Sequence, residues 1–260
     1  MMSEADRHKA ADTLIAAEQA HKQAVQLSKT WPAITIEDAY AISTEVAKRK
    51  IASGARLIGH KVGLTSMAMQ RSSQIDEPDY GHLLDYMMIA DGAKIPHENY
   101  CRPRVEIELA FILGKPLKGP GVGLAEVLRA TEYVVPAIEI VDARLQDPRK
   151  IFDTVADNGA AAGIVVGGRP VGPLDVDLRW VGGIMYKNSE IEETGVAAGV
   201  LGHPALGVAW LANKLGGHGV ALEPGHLVLA GSFTRVVFAH KGDTLHADFG
   251  ALGGIAVQFV

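Results

Sequence analysis

The stretch Pro103-Arg104-Val105-Glu106-Ile107-Glu108-Leu109-Ala110-Phe111-Ile112-Leu113 alternates acidic and apolar residues. Side chains along a strand alternate between its two faces, so Glu106 and Glu108 share one face while Val105, Ile107 and Leu109 share the other. Taken alone, the pair also fits a sheet with one wet face and one packed face. A third acid, Glu139, interrupts the apolar run Tyr133-Val-Val-Pro-Ala-Ile-Glu-Ile-Val141 and has Val135, Ala137 and Val141 on its own parity. An isolated ionised carboxylate buried there would cost several kcal/mol or take up a proton. A divalent cation removes that cost, and oxygen ligands with no matching His or Cys favour Mg²⁺ or Mn²⁺ over zinc.

With 260 residues, 48% of them hydrophobic, the chain can bury a sizeable core. Its formal net charge of −5 provides no basic surface for nucleic acid or anionic lipid, so a small-molecule partner is expected. Cys101 is the only cysteine, which rules out an intrachain disulfide or a Cys-based zinc cluster and fits a cytoplasmic protein. The N-terminus lacks the apolar core of a signal peptide. Residues 195–212 lack Asp, Glu, Lys and Arg, yet their glycines, His203 and Pro204 read as a loop leading into a buried helix and not as a membrane span.

Residues 4–28 read as one helix stopped before Trp31-Pro32, and a second helix should begin near Thr35, where Thr35 and Asp38 have capping-box spacing. Beyond residue 55 the pattern changes to short apolar runs at 57–62, 105–113, 133–141, 162–166, 183–187, 220–222, 226–230, 236–240 and 255–260, with helices at 124–130 and 205–215. The expected division is an N-terminal helical region, 1–55, and a metal-binding β-rich catalytic domain, 56–260.

Gly119-Pro-Gly-Val-Gly123 has neither dinucleotide-fingerprint nor phosphate-loop spacing and reads as a turn. There is no G-x-S-x-G elbow, and Ser232 in Gly231-Ser-Phe-Thr-Arg235 has no base evident in the sequence. Lys61, in Gly59-His-Lys-Val-Gly-Leu-Thr65, reads either as a solvated lysine or as a functional ammonium. Asp79 and Asp157 each sit in turn-forming sequence that accounts for them without catalysis.

In order along the chain, Gly59-His-Lys-Val-Gly-Leu-Thr65, Glu77-Pro-Asp-Tyr-Gly81, Arg104-Val-Glu-Ile-Glu-Leu-Ala110, Pro136-Ala-Ile-Glu-Ile-Val-Asp142, Ala156-Asp-Asn158 and Leu201-Gly-His-Pro204 resemble the hydratase/decarboxylase family of catechol meta-cleavage pathways, within the fumarylacetoacetate hydrolase superfamily. The resemblance covers essentially the whole chain. It implies an α+β fold, a mixed β-sheet roll with a small N-terminal helical region, assembled as a homo-oligomer. It also implies Glu106, Glu108 and Glu139 as ligands of Mg²⁺, with Mn²⁺ as the alternative, and a 2-oxo dicarboxylate as the small-molecule substrate. The expected activity is that of a hydro-lyase adding water in aromatic catabolism; decarboxylation is the rival chemistry, and a non-catalytic partner subunit is the rival of another class.

In a mechanism consistent with these residues, Lys61 supplements the metal's charge and Asp79 shuttles the proton. Arg235 and Ser232 are expected to bind substrate, Arg235 through two parallel hydrogen bonds to a distal carboxylate; an exposed Arg after a strand is the alternative. One departure from the family pattern stands out: the segment between Asp142 and Asp157 is shorter than in similar hydratases. If it covers the site, substrate length preference shifts with it.

Overall fold

A computed structural model of the chain describes residues 1–67, 70, 71 and 75–260. The chain opens with α1 (Glu4–Gln19), α2 (Leu27–Thr30) and α3 (Ile36–Ala52), followed by β1 (Leu57–Gly63), β2 (Asp79–Leu84), β3 (Met88–Ile89), β4 (Lys94–Ile95) and β5 (Pro103–Leu113). Next come α4 (Leu124–Ala130), β6 (Thr131–Asp142), α5 (Ile151–Ala156), β7 (Ala161–Val166), β8 (Gly182–Lys187) and β9 (Glu190–Val196). The last elements are α6 (Pro204–Gly216), β10 (Leu227–Leu229), β11 (Val237–Phe238), β12 (Thr244–Asp248) and β13 (Gly254–Phe259).

Two mixed sheets form the roll. The larger runs β2-β1-β10-β5-β6-β7-β3, with β11 pairing onto β5, and the smaller runs β4-β13-β12-β8-β9. The inward faces meet in one apolar core that includes Val105, Ile107, Leu109 and Phe111 from β5, Ile138 and Ile140 from β6, Met185 from β8 and Val257 from β13. The apolar parity of β5 is thus fully spent on packing. Its other parity, Arg104, Glu106, Glu108 and Ala110, is left for the opposite face.

The capping box at Thr35 and Asp38 forms as expected and starts α3. The single helix expected over 4–28 is broken instead. After α1 the chain extends so that Ala24 pairs with Leu145, its N–H donating to Arg144 O at 2.8 Å, and a tertiary strand-like contact wins over helix propensity. Residues 220–222 form only an isolated bridge between Leu222 and Leu117. Among the described residues no helix is long and apolar enough to cross a membrane.

Candidate functional site

β5 and β6 are antiparallel neighbours with Glu106 directly opposite Glu139 and Glu108 opposite Ala137. This register brings the even parity of β5 against Glu139, and one carboxylate oxygen from each of the three acids falls within 4.8 Å of the others. Glu108 and Glu139 are fully buried, and Glu106 is partly exposed to a cavity of about 840 Å³. The Gly231 N–H donates to Glu108 Oε2 at 2.8 Å, while Glu108 Oε1 and both Glu139 oxygens have no hydrogen-bond partner. Gly231 adopts φ +121°, a backbone position open to glycine, and a β-carbon there would collide with Thr65.

Lys61 comes from β1, which lies between β10 and β2. Its ammonium is 3.4 Å from Glu139 Oε2 and donates to Gly159 O at 3.3 Å. Asp79 starts β2 opposite Gly63, and the missing side chain of Gly63 is what leaves room for it: a β-carbon on Gly63 would overlap Asp79 Oδ1 and lie 3.1 Å from Lys61 Nζ. Lys61 and Asp79 both line the cavity beside Glu106.

The electrostatics reflect four acids, three of them buried and Glu106 partly so, around one buried base. Burial pushes the Glu139 carboxyl up to about 7, with Lys61 pulling it down and Glu106 pushing it further up. Burial and then Glu139 drive Glu108 well above the carboxylate range, and burial raises Glu106 and Asp79 against the pull of Lys61. Burial disfavours the Lys61 ammonium, yet Glu139, Asp79, Glu106 and Glu108 together raise its pKa, so the lysine is charged. One cation does not balance four carboxylates. Orphaned, mutually repelling oxygens with no His or Cys among them are a donor set suited to a hard divalent cation.

The seven residues singled out in the sequence divide into two groups. Glu106, Glu108, Glu139, Lys61 and Asp79 form one contiguous cluster. Ser232 and Arg235 also line the cavity, but both are already engaged. The Ser232 hydroxyl lies 3.3 Å from Ile107 O and 3.0 Å from Thr234 O, and accepts from the Thr234 N–H at 3.3 Å, so it holds the turn after β10. Arg235 is 84% exposed and paired to Glu193 at 2.7 Å. Asp157 is buried against Arg144, whose Nε donates to it at 2.6 Å, in keeping with a structural role.

Two of the cations that line the cavity escaped the sequence reading. Arg104 stands on the same parity as Glu106 and Glu108, so the period-two argument reaches it as well. Arg149 has no periodic signal, since it lies in the loop between β6 and α5.

A model of the fumarylacetoacetate (FAA) hydrolase C-terminal family matches residues 54–260. The 2-oxo-hept-4-ene-1,7-dioate hydratase of Escherichia coli is 56% identical over 267 aligned positions, covering 98% of this chain and 99% of that protein. The 2-hydroxyhexa-2,4-dienoate hydratase of Comamonas testosteroni is 41% identical, with 90% and 89% covered. Among solved structures, a 4-oxalocrotonate decarboxylase from Pseudomonas putida G7, complexed with magnesium and adipate, aligns with a TM-score of 0.97 at 32% identity, over 100% of this chain and 99% of that one. The sheet roll, the buried acidic cluster and these likenesses agree: the chain is an enzyme and belongs to the fumarylacetoacetate hydrolase C-terminal family.

Proposed function

We propose that this enzyme is a hydro-lyase that adds water to 2-oxo-hept-4-ene-1,7-dioate, giving 4-hydroxy-2-oxoheptane-1,7-dioate in the meta-cleavage breakdown of aromatic compounds, with Mg²⁺ as its cation. The observation that carries this reading is the trio Glu106, Glu108 and Glu139, in which buried Glu108 and Glu139 have oxygens without a hydrogen-bond partner and Glu106 opens onto a cavity that also holds Lys61 and Asp79. The near full-length likeness to a hydratase of that substrate supports the choice within the family. Residues 56–260 form the catalytic domain in this reading, and residues 1–55 are the helical region built onto it.

When bound, a dication held by the three glutamates supplies Lewis-acid stabilisation of negative charge on the oxygens of a 2-oxo acid. The chain's own residues do the rest. Lys61, fixed by Glu139 and Gly159, holds the C1 carboxylate end of the substrate. Asp79, buried and with its pKa raised, takes the C3 proton and returns one at C5, which moves the double bond into conjugation with the C2 carbonyl. Water then adds at C4. Buried apolar walls limit competing solvent and keep these charges strong.

Decarboxylation is the second reading, favoured by the fit to a 4-oxalocrotonate decarboxylase. The test is a panel of 2-oxo dienoates assayed on purified protein before and after EDTA, then with Mg²⁺ or Mn²⁺ restored. The expected result is cation-dependent formation of the hydrated seven-carbon product without CO₂ release. Full turnover after EDTA, or CO₂ release from 4-oxalocrotonate as the main activity, would reject the reading. As a check independent of turnover, Mg²⁺ at a hundredfold excess over its Kd raises stability by about 2.7 kcal/mol, and Glu108→Gln removes that increment.

A further inference from the structure

Arg235 is poorly placed to select a second carboxylate, because it is exposed and already shares its charge with Glu193. Two other guanidinium groups line the same cavity from its more buried wall. Arg104 is partly buried and, among the described residues, makes no hydrogen bond or ion pair; its guanidinium is 5.8 Å from the Phe238 ring centre. Arg149 is 14% exposed and tethered by Nη1 donating to Leu145 O at 3.3 Å and by Nη2 at 3.2 Å from Asp147. Asp147 is itself half exposed and shared with Arg102; it and Glu106 pull on the Arg104 charge through space, but neither pairs with it directly. Guanidinium has five N–H donors in a fixed fork, and this pair leaves most of them for a ligand.

We propose that Arg149 and Arg104 form the subsite for the distal carboxylate of a dicarboxylic 2-oxo acid, and that Arg149 is the residue that selects diacids over monoacids. The inference rests on the reading of the trio as the 2-oxo acid site. Spacing supports it. Arg104 and Glu106 are two residues apart on one face of β5, a separation of about 7 Å along a strand. The six C–C bonds of a seven-carbon diacid, each about 1.5 Å, span roughly 7–8 Å in zigzag. The two lengths match at the level of the backbone, so a substrate held at the trio by its C1 end and lying along β5 has its far carboxylate on the Arg104 side of the cavity. Arg149 faces the same part of the cavity from the segment between Asp142 and Asp157, close enough for its charge to act on Arg104.

The experiment compares binding of 2-oxoheptanedioate and 2-oxoheptanoate, which differ only at the far end, by calorimetry on the Mg²⁺-loaded full chain. The wild type is expected to prefer the diacid by at least 30-fold, on the order of two charge-assisted hydrogen bonds. Arg149→Met should cut that preference at least tenfold, Arg149→Lys should keep part of it, and Arg235→Ala should leave it within threefold. A wild type with no preference, or a preference lost in Arg235→Ala but kept in Arg149→Met, overturns the proposal. Melting curves of each variant confirm folding, and Arg104→Met with an unchanged preference removes Arg104 from the subsite. Because binding and not turnover is read, a protein that binds the diacid selectively but hydrates no dienoate would sink the proposed function while leaving the subsite standing.

Discussion

Gly63 stands where the site has no room for a methyl group. It faces Asp79 across the β1–β2 pair, and a β-carbon would overlap Asp79 Oδ1 and press on Lys61 Nζ. Neither neighbour can yield cheaply, since Asp79 and Lys61 are both buried and Lys61 is fixed between Glu139 and Gly159. Gly63→Ala should therefore cost about 1–3 kcal/mol of stability through overpacking. The loss of turnover should be larger than the loss of stability: at least 100-fold in kcat with KM changed little, because in the proposed mechanism Asp79 carries the proton and needs sub-ångström placement. Steady-state kinetics beside a urea titration check this; a variant with wild-type kcat would show that Asp79 is not held by this contact.

The edge of the large sheet carries a different kind of chemistry. His60 on β1 is opposite His82 on β2, and His226 lies just before β10, with ring centres 5.4 and 6.1 Å from His60. His60 is buried and its Nδ1 has no hydrogen-bond partner. Burial, then the proximity of His82 and His226, holds His60 well below the ordinary imidazole value, and burial also lowers His82 and His226. With folded pKa values below the unfolded one of about 6.5, the unfolded chain binds more protons on acidification. This contribution to stability is complete above that pH and is lost as pH falls through it toward the folded values, by up to about 1.4 kcal/mol per pH unit for each histidine. Urea midpoints from pH 8 to pH 5 should show this acid limb, and His60→Gln should reduce its slope by about one proton; an unchanged slope would exclude His60 as its source. This edge was legible only in part: the run expected at 57–62 is β1, while β2 was not read from the sequence. β5 and β6 were legible because alternation is explicit in Val105 to Leu113 and in the run around Glu139, and α3 because Thr35 and Asp38 announce its start. β2 was not, since Leu83 and Leu84 are adjacent and both buried, which hides any two-residue period. Parity put Glu106 and Glu108 on one face, but Glu139 joins them through the β5–β6 register, which parity does not give; Arg149 left no signal at all, because a loop residue held by the Leu145 carbonyl leaves no periodic trace.

At the scale of the whole molecule, the N-terminal helices and the sheet roll share contacts that bear on the site. Leu14 of α1 and Ile42 of α3 pack in one apolar cluster with Leu145, Val155 and Ala156 from the segment after β6. The Ser28 N–H and Oγ both donate to Asp153 of α5, at 2.8 and 2.7 Å, and the Ala24–Leu145 bridge extends the same seam. α5 leads into Asn158 and Gly159. Ser43 of α3 reaches Asn158 Oδ1 at 3.3 Å, Asn158 exchanges hydrogen bonds with His82, and the Gly159 carbonyl accepts from Lys61. A cavity cut into the helical cluster should therefore weaken the protein as a unit. Ile42 is fully buried, so Ile42→Ala should cost about 2–5 kcal/mol. The sharper expectation concerns cooperativity. Trp31 packs against the helical cluster and Trp210 of α6 against the main core, while Trp180 is exposed. In Trp180→Phe backgrounds that keep either Trp31 or Trp210 alone, fluorescence should report coincident urea midpoints, and Ile42→Ala should move both together. Separate transitions, with the Trp31 signal lost first and the Trp210 signal unmoved by Ile42→Ala, would show that the helices unfold independently of the roll and that the seam at α5 carries no coupling to Lys61.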